Sequence, residues 1–207
     1  MLTIFEKDLD KNPANYTPMT PLNFIERTAS IYPKRPAIIH GSLRQDWLTT
    51  YQRCKQLASA LTKVGVKKGD TVAVMLPNTP PMVEAHFGIP MTGAILNSLN
   101  TRLDPETIAF MLNHGEAKVV IVDPEFSQTM ARAIEIAAKD PSSKVNQLVV
   151  VQVHDELYTG SKVELGKVSY EEFVSRGSSD YQWQLPSDEW DSICLNYTSG
   201  TTGNPKG

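Results

Sequence analysis

Apolar positions along the chain recur in two rhythms, and the switches between them mark its elements. Residues 22–31 (LNFIERTASI) place Leu22, Ile25 and Ala29 on one helical face, with Phe24 a further candidate for it, so the spacing predicts a short amphipathic helix. Pro33 and Pro36 end it. Residues 37–40 and 43–47 then read as two strands about the pair Gly41-Ser42, a hairpin. In residues 49–52 (TTYQ) a hydroxyl stands three places before Gln52, a capping-box pattern that opens the next helix. From Tyr51 onward Cys54, Leu57, Ala58, Leu61 and Val64 return at helical spacing until Gly65, a residue suited to the left-handed position past a helix end. Cys54 therefore falls on a buried stripe.

Residues 67–153 repeat one theme. Lys67-Lys68-Gly69-Asp70 is a turn, 71–76 (TVAVML) a short β-rich run, and Pro77-Asn78-Thr79-Pro80 a loop that enters a helix at Pro81. Pro90 is expected to kink that helix or end it early. A second run at 94–96 leads into 97–103; Asp104-Pro105-Glu106 then supplies N-cap, first-position proline and first-turn acid for a helix reaching His114-Gly115. Residues 118–123 (KVVIVD) form a third run, 125–138 a helix, and 148–153 a fourth run. Near-continuous Val/Ile strands separated by helices of about a dozen residues predict an α/β fold, a parallel sheet covered by helices on both faces. No G-x-G-x-x-G follows any of these strands, which argues against a dinucleotide-binding Rossmann domain.

The flanks are less regular. Residues 1–21, with Pro13, Pro18 and Pro21, read as an irregular arm, and 155–191 as a connecting excursion on the surface around one short helix at 170–176. Asp188, Glu189 and Asp191 cluster beside Trp190 in a polar loop, where solvated carboxylates are a better reading than a general acid/base pair.

Composition narrows the function classes. With 20 basic and 23 acidic residues, a net charge of -3 and a longest basic run of only Lys67-Lys68, the chain offers no field for nucleic acid and no polybasic patch for lipid. No apolar run approaches the roughly 18 residues that span a bilayer. Cys54 and Cys194 lack C-x-x-C partners, and His40, His86, His114 and His154 are scattered without metal-ligand spacing, so all six read as packing or surface residues. Residues 1–12 are mostly charged and polar rather than a secretory leader, which points to a reducing, intracellular compartment.

The chemistry concentrates at residues 197–207 (YTSGTTGNPKG). Residues 191–197 (DSICLNY) alternate, with Ile193, Leu195 and Tyr197 on one face, and predict a strand that delivers this stretch. Two glycines, four hydroxyls (Thr198, Ser199, Thr201, Thr202) and Lys206 within nine positions suit a loop that wraps a polyphosphate. Glycines let backbone N–H groups approach the oxygens, hydroxyls donate further bonds, and the ammonium supplies a point charge. A Walker A loop is excluded, because Gly200 and Gly203 stand three apart and Pro205 directly precedes the lysine. A merely solvated Ser/Thr/Gly linker would not explain the strand before it.

The string TSGTTGNPKG resembles the phosphate-loop signature of the AMP-forming acyl- and aryl-CoA synthetases, within the adenylate-forming superfamily that also includes luciferases and peptide-synthetase adenylation domains. Residues 69–78, 86–93 and 117–123 are similar to other stretches of these enzymes. Residues 48–51 resemble the family's first core motif, except that Gln52 or Arg53 stands where that motif usually has an acid. Residues 15–18 and 97–103 look like the plant-type acyl-activating enzymes of the short- and medium-chain or benzoate group. The resemblance implies ATP, Mg2+ and CoA as cosubstrates, a small carboxylic acid as substrate, and a nucleotide-phosphate loop made of Thr198, Ser199, Gly200, Thr201, Thr202, Gly203 and Lys206.

It implies no catalytic or metal-ligating residue in this chain. The acyl pocket, the adenine and ribose contacts, the hinge and the catalytic lysine of the small C-terminal domain lie downstream of the loop in such enzymes. Residues 22–207 are thus expected to be part of an adenylation domain whose C-terminal partner is absent, ending in the phosphate loop and inactive when isolated. Residues 192–197 are expected to form an exposed, weakly held edge. Two other readings stay open: a non-catalytic truncated paralogue or splice product acting at most by binding, and an adenylating enzyme with an acceptor other than CoA. Cytoplasm and peroxisome both fit, and Pro205-Lys206-Gly207 is no peroxisomal address.

Overall fold

The computed structural model describes residues 3–198 and 205–207. The first helix, α1 (Pro21–Ile31), starts on a Thr20 cap whose hydroxyl accepts from the Leu22 amide, and buries Leu22, Ile25 and Ala29. Phe24 points away and is exposed, so the apolar face is narrower than the spacing suggests. The hairpin forms as expected: β1 (Pro36–His40) pairs antiparallel with β2 (Leu43–Asp46). The helix after it, α2 (Trp47–Lys63), begins before the predicted capping box. Asp46, not a threonine, is the cap, its carboxylate accepting from the Thr49 amide at 2.8 Å, so Trp47 belongs to the helix rather than to the second strand. Gly65 takes φ 90°, the left-handed conformation that stops the helix.

The main sheet is parallel throughout. Its strands, among the described residues, are β3 (Thr71–Met75), β4 (Ile95–Ser98), β5 (Ala117–Val122), β6 (Val149–Gln152), β7 (Val168–Ser169) and β8 (Cys194–Leu195), in the order β7-β6-β5-β3-β4-β8. β3 lies at the centre with every residue buried, in register with β5 through Val74↔Ile121 and with β4 through Val74↔Ser98. The crossovers carry α3 (Pro80–Gly88), α4 (Pro105–His114) and α5 (Ser127–Ala137). Pro90 ends α3 and opens a single 3-10 turn, and Asp104 caps α4 through the Thr107 amide.

Strand alternation divides the core in two. Val72, Val74, Val119 and Ile121 face α2 and α3, while Ala73, Met75, Val120 and Val122 face α4 and α5. Burying such side chains on both faces contributes roughly 1.5–3 kcal/mol each. Because β4 lies on one side of β3 and β5 on the other, the sheet is doubly wound.

The stretch expected to be a surface excursion is more deeply engaged. Gln152 pins its middle, donating from Nε2 to the Val163 carbonyl and accepting from the Leu165 amide, each at 2.9 Å. β7 then extends the sheet, and α6 (Tyr170–Ser175) buries Tyr170, Phe173 and Val174 against α2. Only Cys194 and Leu195 of the predicted strand at 191–197 join the sheet; β8 pairs with β4 and forms the edge.

Candidate functional site

β8 runs parallel to β4, with Asn97 opposite Leu195 and the Leu96 amide donating to the Ile193 carbonyl at 3.0 Å. This carries the chain out at the carboxyl edge of the sheet. Three residues past the strand, Thr198 and Lys206 form an antiparallel bridge: the Thr198 amide donates to the Lys206 carbonyl at 2.8 Å and the Lys206 amide to the Thr198 carbonyl at 3.1 Å. The first and last members of the expected phosphate-holding set therefore stand side by side on the exposed edge. Ser199, Gly200, Thr201, Thr202 and Gly203 lie outside the described residues.

The stem of this loop rests on the C-terminal end of α4. Tyr197 is half-buried there, its hydroxyl 2.8 Å from His114 Nδ1. Its ring meets Phe110 and His114 edge-on at 6.4 and 5.7 Å, and those two rings stack at 5.2 Å. Burial pushes the Tyr197 phenol above its ordinary pKa. From another direction Gly207 lies against the same ring, so closely that a Cβ there would come within 2.7 Å of Cε1. Gly115 makes similar room, with a Cβ at that position falling 3.3 Å from Leu195 Cδ2. Beneath them Asn97 is fully buried, and neither polar atom of its side chain has a hydrogen-bond partner among the described residues.

His114 had looked like one of four scattered histidines. The signal that marks it is its spacing from Phe110, one turn earlier on α4, which puts two rings on one stripe.

A second concave region of about 310 Å³ opens between the β1–β2 hairpin and the carboxyl ends of the sheet, bordered by Leu43, Thr79, Pro80, His154 and Leu157. Its floor is an ion-pair network. Glu84 on α3 is fully buried and accepts from Arg53 Nε and Nη2, from the Tyr170 hydroxyl at 2.8 Å and from Gln45 Nε2 at 3.3 Å. Arg53 also reaches Glu171, at 2.7 and 2.9 Å. Burial opposes the guanidinium charge, but the hydrogen bonds that Arg53 donates to Glu84 and Glu171 outweigh it and hold the Arg53 pKa above its ordinary value. The network ties the hairpin to α2, α3 and α6, so Arg53, at a place where the resembling motif has an acid, serves packing.

The acidic cluster is likewise spoken for. Asp191 pairs with Lys68 at 2.8 Å, and Glu189 accepts from the Met19 amide at 2.8 Å and the Tyr16 hydroxyl at 3.2 Å, fastening the N-terminal arm. Burial raises the Cys54 thiol far above its ordinary pKa, while Cys194 is exposed. Among the described residues no group of three His, Cys, Asp or Glu side chains could hold a metal ion, and no helix is long and apolar enough to cross a membrane.

Comparison with known proteins fits this geometry. The family model described as "AMP-binding enzyme" matches residues 25–207. The chain belongs to the AMP-binding enzyme family. Among curated relatives, the acetate–CoA ligase CCL3 of Humulus lupulus is 46% identical over 204 residues, and the peroxisomal acetate/butyrate–CoA ligase AAE7 of Arabidopsis thaliana is 43% identical over 204. Each alignment takes in 97% of this chain, which spans 36% of the length of either relative. Among solved structures, the anthranilate CoA ligase AuaEII in complex with anthranoyl-AMP superposes with a TM-score of 0.77 at 23% identity, over 94% of this chain and 35% of that one. That likeness is one of fold: the doubly wound sheet of this AMP-binding family member superposes on about a third of that structure.

Proposed function

We propose that the whole protein bearing this chain is an ATP-dependent acid–thiol ligase, which joins a small carboxylic acid to CoA through an acyl adenylate, and that residues 198–206 hold the leaving phosphates. One observation carries the reading: a Gly- and hydroxyl-rich stretch ending in Lys206 is closed at its base by the Thr198–Lys206 bridge at the carboxyl edge of a parallel sheet. In the first step a carboxylate oxygen attacks the α-phosphorus of ATP, and the bond to the β-phosphate oxygen breaks to release pyrophosphate. In the second the CoA thiol loses its proton, its sulfur attacks the acyl carbon, and AMP leaves.

The chain's own part is to seat and neutralise the departing pyrophosphate. Thr198, Ser199, Thr201 and Thr202 would donate hydroxyl hydrogen bonds, Gly200 and Gly203 would let backbone amides approach, and Lys206 would supply positive charge. Charge-assisted bonds of this kind contribute roughly 1.5–3 kcal/mol each. Mg2+ would accompany the nucleotide; the described side chains do not form a ligand set for it, and none is assigned to it. The relatives named as acetate and butyrate ligases favour a short-chain acid as substrate, and the one named peroxisomal favours the peroxisome over the cytoplasm as the compartment.

Pyrophosphate exchange into ATP by the intact protein, with acetate and butyrate as trial acids, is the test. Exchange that requires the acid, followed by thioester formation on adding CoA, is expected. ATP cleaved to ADP, or no exchange with any carboxylate tried, would overturn the reading. Residues 1–207 expressed alone are expected to give no exchange.

A further inference from the structure

The stem geometry assigns a role to a residue outside the loop. Tyr197 is joined covalently to Thr198, and its ring is the surface on which Gly207, the neighbour of Lys206, is packed. One aromatic ring thus sets both flanks of the loop at once. What fixes that ring belongs to α4: Phe110 supports it edge-on, and His114 Nδ1 holds its hydroxyl at 2.8 Å. α4 is itself anchored, capped by Asp104 at its start and buried along Ile108, Ala109, Met111 and Leu112.

Packing against Phe110 alone leaves a phenyl ring free to slide and tilt. A hydrogen bond at its rim removes that freedom, and a loop that must present several donors to one anion within a fraction of an ångström gains from it. We infer that His114 is a positioning residue for the phosphate loop: through Tyr197 it sets where Thr198 and Lys206 stand, and so governs affinity for the triphosphate of ATP. This rests on the proposed phosphate-holding role of residues 198–206. Among the described residues His114 stacks on Phe110 and hydrogen-bonds the Tyr197 phenol, so its influence on the nucleotide is through Tyr197.

The test uses the intact protein with Tyr197→Phe, His114→Leu, His114→Gln and the double variant Tyr197→Phe/His114→Leu. Two readouts are taken: KM for ATP against KM for acetate, and the rate of tryptic cleavage after Lys206 without substrates. Losing one hydrogen bond at the stem should raise the KM for ATP and the cleavage rate about fivefold in each of the first two variants. The KM for acetate should stay within about twofold, and the double variant should be no worse than either single one. His114→Gln, whose side-chain amide can both donate to and accept from the phenol, should recover most of the loss.

Unchanged KM for ATP and unchanged cleavage would overturn the inference, as would an equal rise in both KM values together with a lowered Tm, the mark of general loosening. If His114→Leu does not fold, Tyr197→Phe, which removes a single oxygen, decides. The two readings fail separately. A wild-type protein that does not use ATP but shows the cleavage pattern loses the proposed function and keeps the stem; an active protein indifferent to the substitutions loses only the role of His114.

Discussion

Among single side chains, Glu84 is a fully buried charge whose partners matter energetically. A carboxylate with no exposed surface is tolerated because four donor atoms converge on it, and removing the cation among them leaves a buried charge without a counter-charge. Arg53→Met should therefore lower unfolding free energy by about 3–5 kcal/mol in urea denaturation. Glu171, whose side chain is 67% exposed, meets the same guanidinium from the solvent side, and Glu171→Ala should cost about 1 kcal/mol or less. Equal losses from the two would show that the buried partner does not dominate. This network was not legible in advance. An acid and a base more than thirty residues apart declare no pairing, and the hint is an acid set between the apolar residues Met82, Val83 and Ala85. The hydroxyls and glycines of 198–206, by contrast, are contiguous, so the proposal that they act as a group can be made from the sequence without the fold.

Among the elements, α4 links fold to site, since its N-terminus is fixed by a cap and its C-terminus holds the loop stem. Asp104 accepts from the Thr107 amide at 2.8 Å and the Thr107 hydroxyl at 2.9 Å, and these bonds hold its pKa below the ordinary carboxylate range. A carboxylate depressed in the folded state contributes stability that is present above its unfolded pKa and lost as pH falls through the folded one. Asp104→Ala should thus cost about 1 kcal/mol at neutral pH. The gap between wild type and variant should close as the pH drops below the usual carboxylate range; a gap that stays constant into that range would contradict the cap. Caps of this sort are readable from sequence because donor and acceptor lie within one turn. The start of α2 was misread for a related reason: two plausible caps, Asp46 and Thr49, stand three residues apart, and the carboxylate outcompetes the hydroxyl. β7 and α6 were undervalued because a two-residue strand has no period to detect, and because α6 owes its burial to the distant α2.

For the molecule as a whole, the alternation of Val-rich strands with helices fixed a parallel α/β sheet, while strand order was beyond reach of pattern alone. Nothing local tells β5 to lie beside β3 rather than β4, or β8 to return across the sheet to β4. Yet that return places the loop at the carboxyl edge, where doubly wound sheets bind ligands. The central claim is that residues 198–206 receive the phosphates of ATP there. Its most direct test is a structure of the intact protein with a hydrolysis-resistant ATP analogue. The account predicts β- and γ-phosphates between the flanks Thr198 and Lys206, with Tyr197 still on His114; phosphates seated instead in the cavity between the β1–β2 hairpin and His154, with the loop empty, would contradict it.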